Sequence, residues 1–215
     1  MKLEEILGVN TLIPSLPVTV ALLLQEFQKE EPDARTIAAM LAGEIGLTIR
    51  ILRLVNSASH GRGSNRIGSV EAATALVGLA AVRQFVNAAA VGGAFKQVPG
   101  VNMTNFWRYS LDVAKLAQSM AEPLGMDKGT AFTAGLLHGT GDLILKIAMP
   151  TRASLQPPFE SDVDRHRTQM ADLGYSYAEV GAAFAAQWQF PDEIAEAIRH
   201  HCNPDEEEEP ETLPG

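Results

Sequence analysis

The residues best equipped for chemistry are five histidines, His60, His138, His166, His200 and His201, and one cysteine, Cys202. None falls into a spacing that fixes a metal: there is no HExxH, no CxxC and no HxE…PCxxC. His200 and His201 are neighbours, so a helix turns them about 100° apart and they do not both face one ion. Cys202 follows them, but a reactive thiolate needs electropositive surroundings, and Asp205 to Glu209 lie just beyond. His138 stands in LLHGTGD, at the end of an apolar helical run, where a lone histidine is ordinarily a core or hydrogen-bonded group. Asp142 follows four residues later and would share its helical face. Gly139 and Gly141 work against an unbroken helix there, so a His138–Asp142 hydrogen bond is the expectation and a metal site is not.

Phosphate chemistry gets little support from the glycine-rich loops. A Walker loop needs lysine after its last glycine, whereas GMDKGT (125–130) places lysine before it. GRGSNRIG (61–68) is not GxGxxG and follows no strand, so it reads as an inter-helix loop. Its surroundings carry charge, however. Between Gly46 and Asn87 stand Arg50, Arg53, Arg62, Arg66 and Arg83 against one acid, Glu71, a local excess of +4. Such a patch attracts an anion or an acidic partner. Arg53, Arg62 and Arg66, with Asn56 as a neutral hydrogen-bonding group, are the candidate partner- or anion-binding residues; Arg50 and Arg53 have the alternative of pairing with acids across the bundle. Nucleic acid is a poor fit, because the one aromatic in this stretch, Phe85, lies on an apolar face instead of between basic groups.

These residues must be placed by helices, because nearly every segment repeats its apolar residues with helical period. Helices are predicted over 17–30, 33–45 with Asp33 as cap, and 47–58 with Leu47, Ile51, Leu54 and Val55 on one face. A long helix runs from Ser69 to Gly92 through Leu76, Leu79, Val82, Phe85 and Val86. The second half holds a helix capped by Thr104 with Phe106, Leu111, Leu116 and Met120 as its stripe, then 127–148, 160–172, 176–189 and 191–201. Pro191 followed by Asp192 and Glu193 is a favourable helix start. No five residues alternate as a strand would, and no repeat of 20–50 residues appears. The expected fold class is all-α, with nine or ten helices in two subdomains, 1–95 and 105–204, joined by 96–104. Residues 205–215 form an acidic tail expected to be disordered.

Composition agrees. At 215 residues, 46% hydrophobic and 20% charged, the chain suits a globular protein. The net charge of −9 is mostly tail, since removing the six acids between Asp205 and Glu211 leaves −3. No apolar run is long enough for a membrane span, the start MKLEEILGVN is not that of a secretory signal, and one cysteine excludes an internal disulfide. A cytoplasmic protein is expected.

Ordered pieces along the chain resemble the HDOD domains, relatives of the HD and HD-GYP phosphohydrolases. In the first half these are IPSLPVTVALLLQ (13–25), GLTIRILRLVNSAS (46–59) and RIGSVEAATALVGLAAVRQFV (66–86). In the second they are FWRYSLDVAKLAQSMAEPLG (106–125), AFTAGLLHGTGDLIL (131–145) and YAEVGAAFAAQWQFPDEIAEAIRHH (177–201). The resemblance implies an HD-like helical bundle over roughly residues 10–204. In catalytic relatives, histidines and aspartates on several helices hold metal ions that activate water. Here His138 remains, but Gly139 stands where the adjacent aspartate belongs, and Tyr109 and Tyr177 stand where histidines are common. Glycine offers no ligand, and a phenol with pKa near about 10 is a poor one. The resemblance therefore implies a degenerate site at Tyr109, His138, Gly139 and Tyr177, with no metal, no cofactor and no catalysis. It implies a bacterial signalling or protein-interaction module whose protein partner comes in trans, in a pathway with a possible cyclic-dinucleotide link. The alternatives are a degenerate phosphohydrolase or phosphodiesterase using other ligands, and a binder of a nucleotide second messenger.

Overall fold

Helix caps explain most element boundaries in the computed structural model, which describes residues 2–7, 17–58, 66–91, 98, 100–152, 155 and 161–202. Helix α1 (Leu3–Leu7), which the periodicity did not announce, precedes α2 (Pro17–Glu26), α3 (Ala34–Ala42), α4 (Ile45–Ala58) and α5 (Val70–Val91). Asp33 caps α3 as expected, accepting from the Arg35 amide at 3.1 Å and the Thr36 hydroxyl at 2.6 Å. The buried carboxylate of Glu44 caps α4 through the Leu47 amide at 2.5 Å, and Ser69 caps α5 through Ala72.

The second half comprises α6 (Met103–Ala121), a 3₁₀ turn (Glu122–Leu124), α7 (Lys128–Leu137), α8 (Thr140–Ala148), α9 (Asp162–Leu173), α10 (Tyr177–Gln187) and α11 (Asp192–His200). The cap of α6 is Asn102, whose side chain accepts from Asn105, and not Thr104. The stretch 127–148 splits at Gly139 into α7 and α8, which raises the number of helices. Ser176 and Glu179 form a capping box at α10. The described residues contain no strand, so the all-α expectation holds.

Helices α2 to α5 pack together, as do α6 with α7, α10 with α8 and α11, and α11 with α7. The halves meet where α4 touches α7 and α1 touches α10, and their buried side chains form one continuous core. Three expected apolar stripes are corrected. In α5 Leu76 is exposed, because Gly78 adopts φ +78° and resets the helical phase: Val70 and Ala73 are buried before it, Val82 and Val86 after it. In α6 the buried face is Trp107, Ser110, Ala114 and Ala121, while Leu116 and Met120 point outward. Leu54 of α4 is likewise exposed.

Backbone contact positions the second half. A methyl on Gly141 of α8 would land on the Tyr177 carbonyl and 2.7 Å from the Gly181 amide of α10. Only hydrogen fits there, so α8 and α10 cross at van der Waals contact of their backbones and set Tyr177 beside the end of α7. No helix of the described residues is long and apolar enough to cross a membrane.

Candidate functional site

The end of α7, the start of α10 and the end of α11 meet in a ladder of rings. Tyr109 of α6 lies 5.5 Å from His138, His138 lies 5.3 Å from His201, and His201 lies 5.3 Å from Tyr177, centroid to centroid and edge to face. The Arg165 guanidinium of α9 covers the Tyr177 ring at 5.0 Å. Of the four positions suspected as a vestigial metal site, three therefore share one site. The fourth, Gly139, caps α8, and a Cβ there would meet the Phe106 ring at 3.2 Å.

Hydrogen bonds fix how these rings are protonated. The Nδ1 of His138 contacts the Gly135 carbonyl at 2.7 Å, and that of His201 contacts the Ile198 carbonyl at 2.6 Å. A carbonyl only accepts, so both rings carry their proton on Nδ1 and offer Nε2 as an acceptor. The Tyr177 hydroxyl donates to His201 Nε2 at 3.1 Å, and the Cys202 thiol donates to the Tyr177 oxygen at 3.0 Å. Burial holds both imidazoles below their ordinary pKa and pushes the Tyr177 phenol and the Cys202 thiol up, so all four are neutral at pH 7. Cys202 is thus a buried hydrogen-bond donor with no thiolate character.

The expected His138–Asp142 bond does not form. The break at Gly139 turns Asp142 away, and its carboxylate pairs with Lys146 at 2.9 Å and lies 3.9 Å from Arg165. Arg165 also approaches Asp162 at 3.4 Å. His200 turns outward to Glu196 at 3.2 Å, as the 100° divergence requires. That same divergence points His201 inward, which the sequence reading overlooked. The signal was there: Ile194, Ile198 and then His201 and Cys202 continue one buried face of α11.

The arginine patch is largely absorbed by structure. Asn56 is buried and spends both ends of its amide on Ile67, accepting from its nitrogen at 2.8 Å and donating to its oxygen at 3.0 Å. It is a brace for the entry to α5, not a group offered to a partner. Arg66 spans the two halves, donating to the Phe190 carbonyl at 3.0 Å and to Asp192 at 2.8 Å. Arg50 is half-buried and faces Glu44. Arg53 is exposed; Arg62, His60 and the acidic tail lie outside the described residues.

Could these residues hold the metal of catalytic HD proteins? Among the described residues no three of His, Cys, Asp and Glu converge as ligands. The carboxylate position is a glycine under a phenyl ring, and the Tyr177 oxygen is committed to His201 and Cys202. The donor set does not fit the ion.

The described residues form a helical HD-like bundle, and the sequence profile of the HDOD domain matches residues 13–204. The chain belongs to the HDOD domain family. It is similar to the MmoQ response regulator of Methylococcus capsulatus str. Bath, with 26% identity, a TM-score of 0.71, and coverage of 90% of this chain and 79% of that one. An uncharacterized protein of Treponema pallidum (strain Nichols) is 26% identical over 197 residues, 89% of this chain. Ribonuclease Y of Thermus thermophilus is 34% identical over 104 residues, 48% of this chain. The chain spans only 38% of the Treponema protein and 14% of ribonuclease Y.

Proposed function

We propose that this HDOD domain is a non-catalytic cytoplasmic signalling module that acts by binding a regulatory protein. The observation that carries the reading is the committed state of the former ligand positions. Gly139 supplies no oxygen, Phe106 fills the space before it, and the Tyr177 hydroxyl and His201 Nε2 are bonded to each other. Such a site lacks the cluster of free donors that metal-assisted hydrolysis requires. The similarity to a response regulator over most of both chains supports a role in signalling. Of the four candidate partner residues, Asn56 and Arg66 are assigned to structure, Arg53 is exposed on α4, and Arg62 lies outside the described residues. The test is affinity capture from native lysate with the protein and with the Arg53→Glu, Arg62→Glu double variant. Loss of the captured partner with unchanged melting temperature is expected; capture that survives both changes refutes the arginine surface.

The 34% identity to ribonuclease Y over 104 residues favours one second reading, a phosphodiesterase using other ligands. It requires stoichiometric metal after gentle purification and turnover that His138→Ala abolishes. Protein free of transition metal and inert toward linear and cyclic dinucleotides rejects it. A thermal-shift screen against cyclic dinucleotides tests the third possibility, a bound second messenger, because a ligand selective for the folded state raises its stability.

A further inference from the structure

Helix α6 carries two apolar faces. One is its buried face toward α7. The other follows Tyr109, Val113, Met120 and on to Leu124, at spacings that keep them on one side, and the core does not use it: Tyr109 is 55% exposed, Met120 55% and Leu124 67%. Opposite this side run Ala131, Ala134 and Gly135 of α7 and Ala197 of α11, all small. A wall of large residues facing small ones leaves a cavity of about 470 Å³, within the range of small-molecule sites, roughly 300–1,000 Å³.

One part of the lining is polar. His138, His201 and Asp162 line it. His201 Nε2 already accepts from Tyr177. His138 is nine-tenths buried and its Nδ1–H is held by Gly135, which leaves Nε2 as the ring's remaining acceptor at the cavity. The nearby charges cancel: Asp162 pairs with Arg165, and Asp142 with Lys146. Their opposition is felt at the rings, where Asp162 favours and Arg165 disfavours protonation of both histidines. An anionic head would meet Asp162, the charged side chain of the lining, and a cationic one would have to compete with Arg165 for that carboxylate. A neutral donor meets neither penalty and supplies a hydrogen to that acceptor.

We propose that this cavity binds a small, uncharged amphiphile: an apolar body lying between α6 and α7, with one hydroxyl donating to His138 Nε2. The site is separate from the arginine surface on α4 and stands whether or not that surface captures a protein. It requires no metal and no reaction. The recognition is asymmetric, because a molecule of equal shape without the donor leaves the buried imidazole nitrogen unsatisfied.

The experiment uses the full chain at pH 7.5 and a pair of probes, 4-butylphenol and 4-butylanisole, in which a methyl group replaces the hydroxyl hydrogen and removes the donor. Binding is followed by chemical shifts of the tyrosine and histidine ring protons. Saturable phenol binding, with the ether at least tenfold weaker, is expected. His138→Phe should erase that difference while both probes still bind. Ala117→Phe, which fills the cavity from α6, should remove binding of both with the fold intact by circular dichroism. Equal affinity of phenol and ether in the unsubstituted protein, absence of saturation, or binding that survives Ala117→Phe overturns the proposal. Should His138→Phe fail to fold, His138→Gln, whose amide oxygen also accepts, must keep the preference; its loss there counts against the proposal.

Discussion

Gly141→Ala tests the idea that backbone contact between α8 and α10 positions the ring ladder. The new methyl meets the Tyr177 carbonyl and, at 2.7 Å, the Gly181 amide. Both are backbone atoms, which do not swing aside as a side-chain tip would, so the helices must separate. Overpacking of a tight core costs typically 1–3 kcal/mol, and the rigid neighbours put this site at the upper end, about 3 kcal/mol. Alanine returns about 1 kcal/mol through its better helix propensity. The net loss is about 2 kcal/mol, which for a chain of this size lowers the melting temperature by about 4–8 °C. Urea unfolding measures it, with Gly43→Ala as the control. Gly43 ends α3 in ordinary right-handed geometry, and a methyl there lies 3.5 Å from its closest neighbour, so its stability should change by no more than about 0.5 kcal/mol. If Gly141→Ala is as stable as the control, the helices are not held by that contact and the account of how Tyr177 is placed is wrong.

Acid should destabilise the protein. His138 and His201 are held neutral in the fold, so below the ordinary histidine pKa of 6.5 the unfolded chain takes up protons that the folded one refuses. Their contribution is complete above that pH and falls as the pH drops, by at most about 1.4 kcal/mol per pH unit for each ring. Urea midpoints between pH 8 and pH 5 should decline, and the decline should be shallower in His138→Gln. Tyr177→Phe strips one partner from His201 and one from Cys202, an expected loss of about 1–3 kcal/mol in chemical denaturation. A double-mutant cycle of Arg66→Ala and Asp192→Ala should give a coupling below about 1 kcal/mol, since both side chains are well exposed. Gly78→Ala forces a side chain into a positive-φ, extended region that is essentially glycine's alone (φ +78°, ψ 159°), with no clash to blame, so a loss of about 1–3 kcal/mol there isolates the strain.

Helix identity was written locally and could be read. Asp33 and Ser69 announce their helices through backbone amides two or three residues away, and Pro191 with Asp192 does so through a preset φ and an acid in the first turn. The errors came from elements whose geometry is set at a distance. Gly78 looks like any helical glycine until its φ is known, and that one residue moves Leu76 from core to surface. In α6 the apolar residues Leu116 and Met120 made a plausible core stripe, but the buried face runs through Trp107, Ser110, Ala114 and Ala121, because Gly135 brings α7 against the backbone at Ala114. The candidate site was legible as four positions, and three of them do meet. Arg165 and Asp162 joined it only through the packing of α9, which no local spacing encodes, whereas His201 continues the buried face that Ile194 and Ile198 begin. The arginine patch failed in part for the reverse reason: charge count says where cations lie in the chain, not that the Phe190 carbonyl and Asp192 wait for Arg66 across the interface.

The crossing at Gly141 and Gly181 separates two burdens that many proteins place on the same residues. Where a metal organises its domain, losing a ligand loosens the architecture along with the reactivity. Here the geometry is guaranteed by two residues that have no side chain at all. The ring ladder beside them is a tenant, not a pillar: its members can be exchanged for other polar or aromatic groups while the helices keep their seats. A scaffold of that kind is an open invitation to new ligands, and an engineer wishing to install one would alter Tyr109, His138 or Tyr177 and leave the glycines alone.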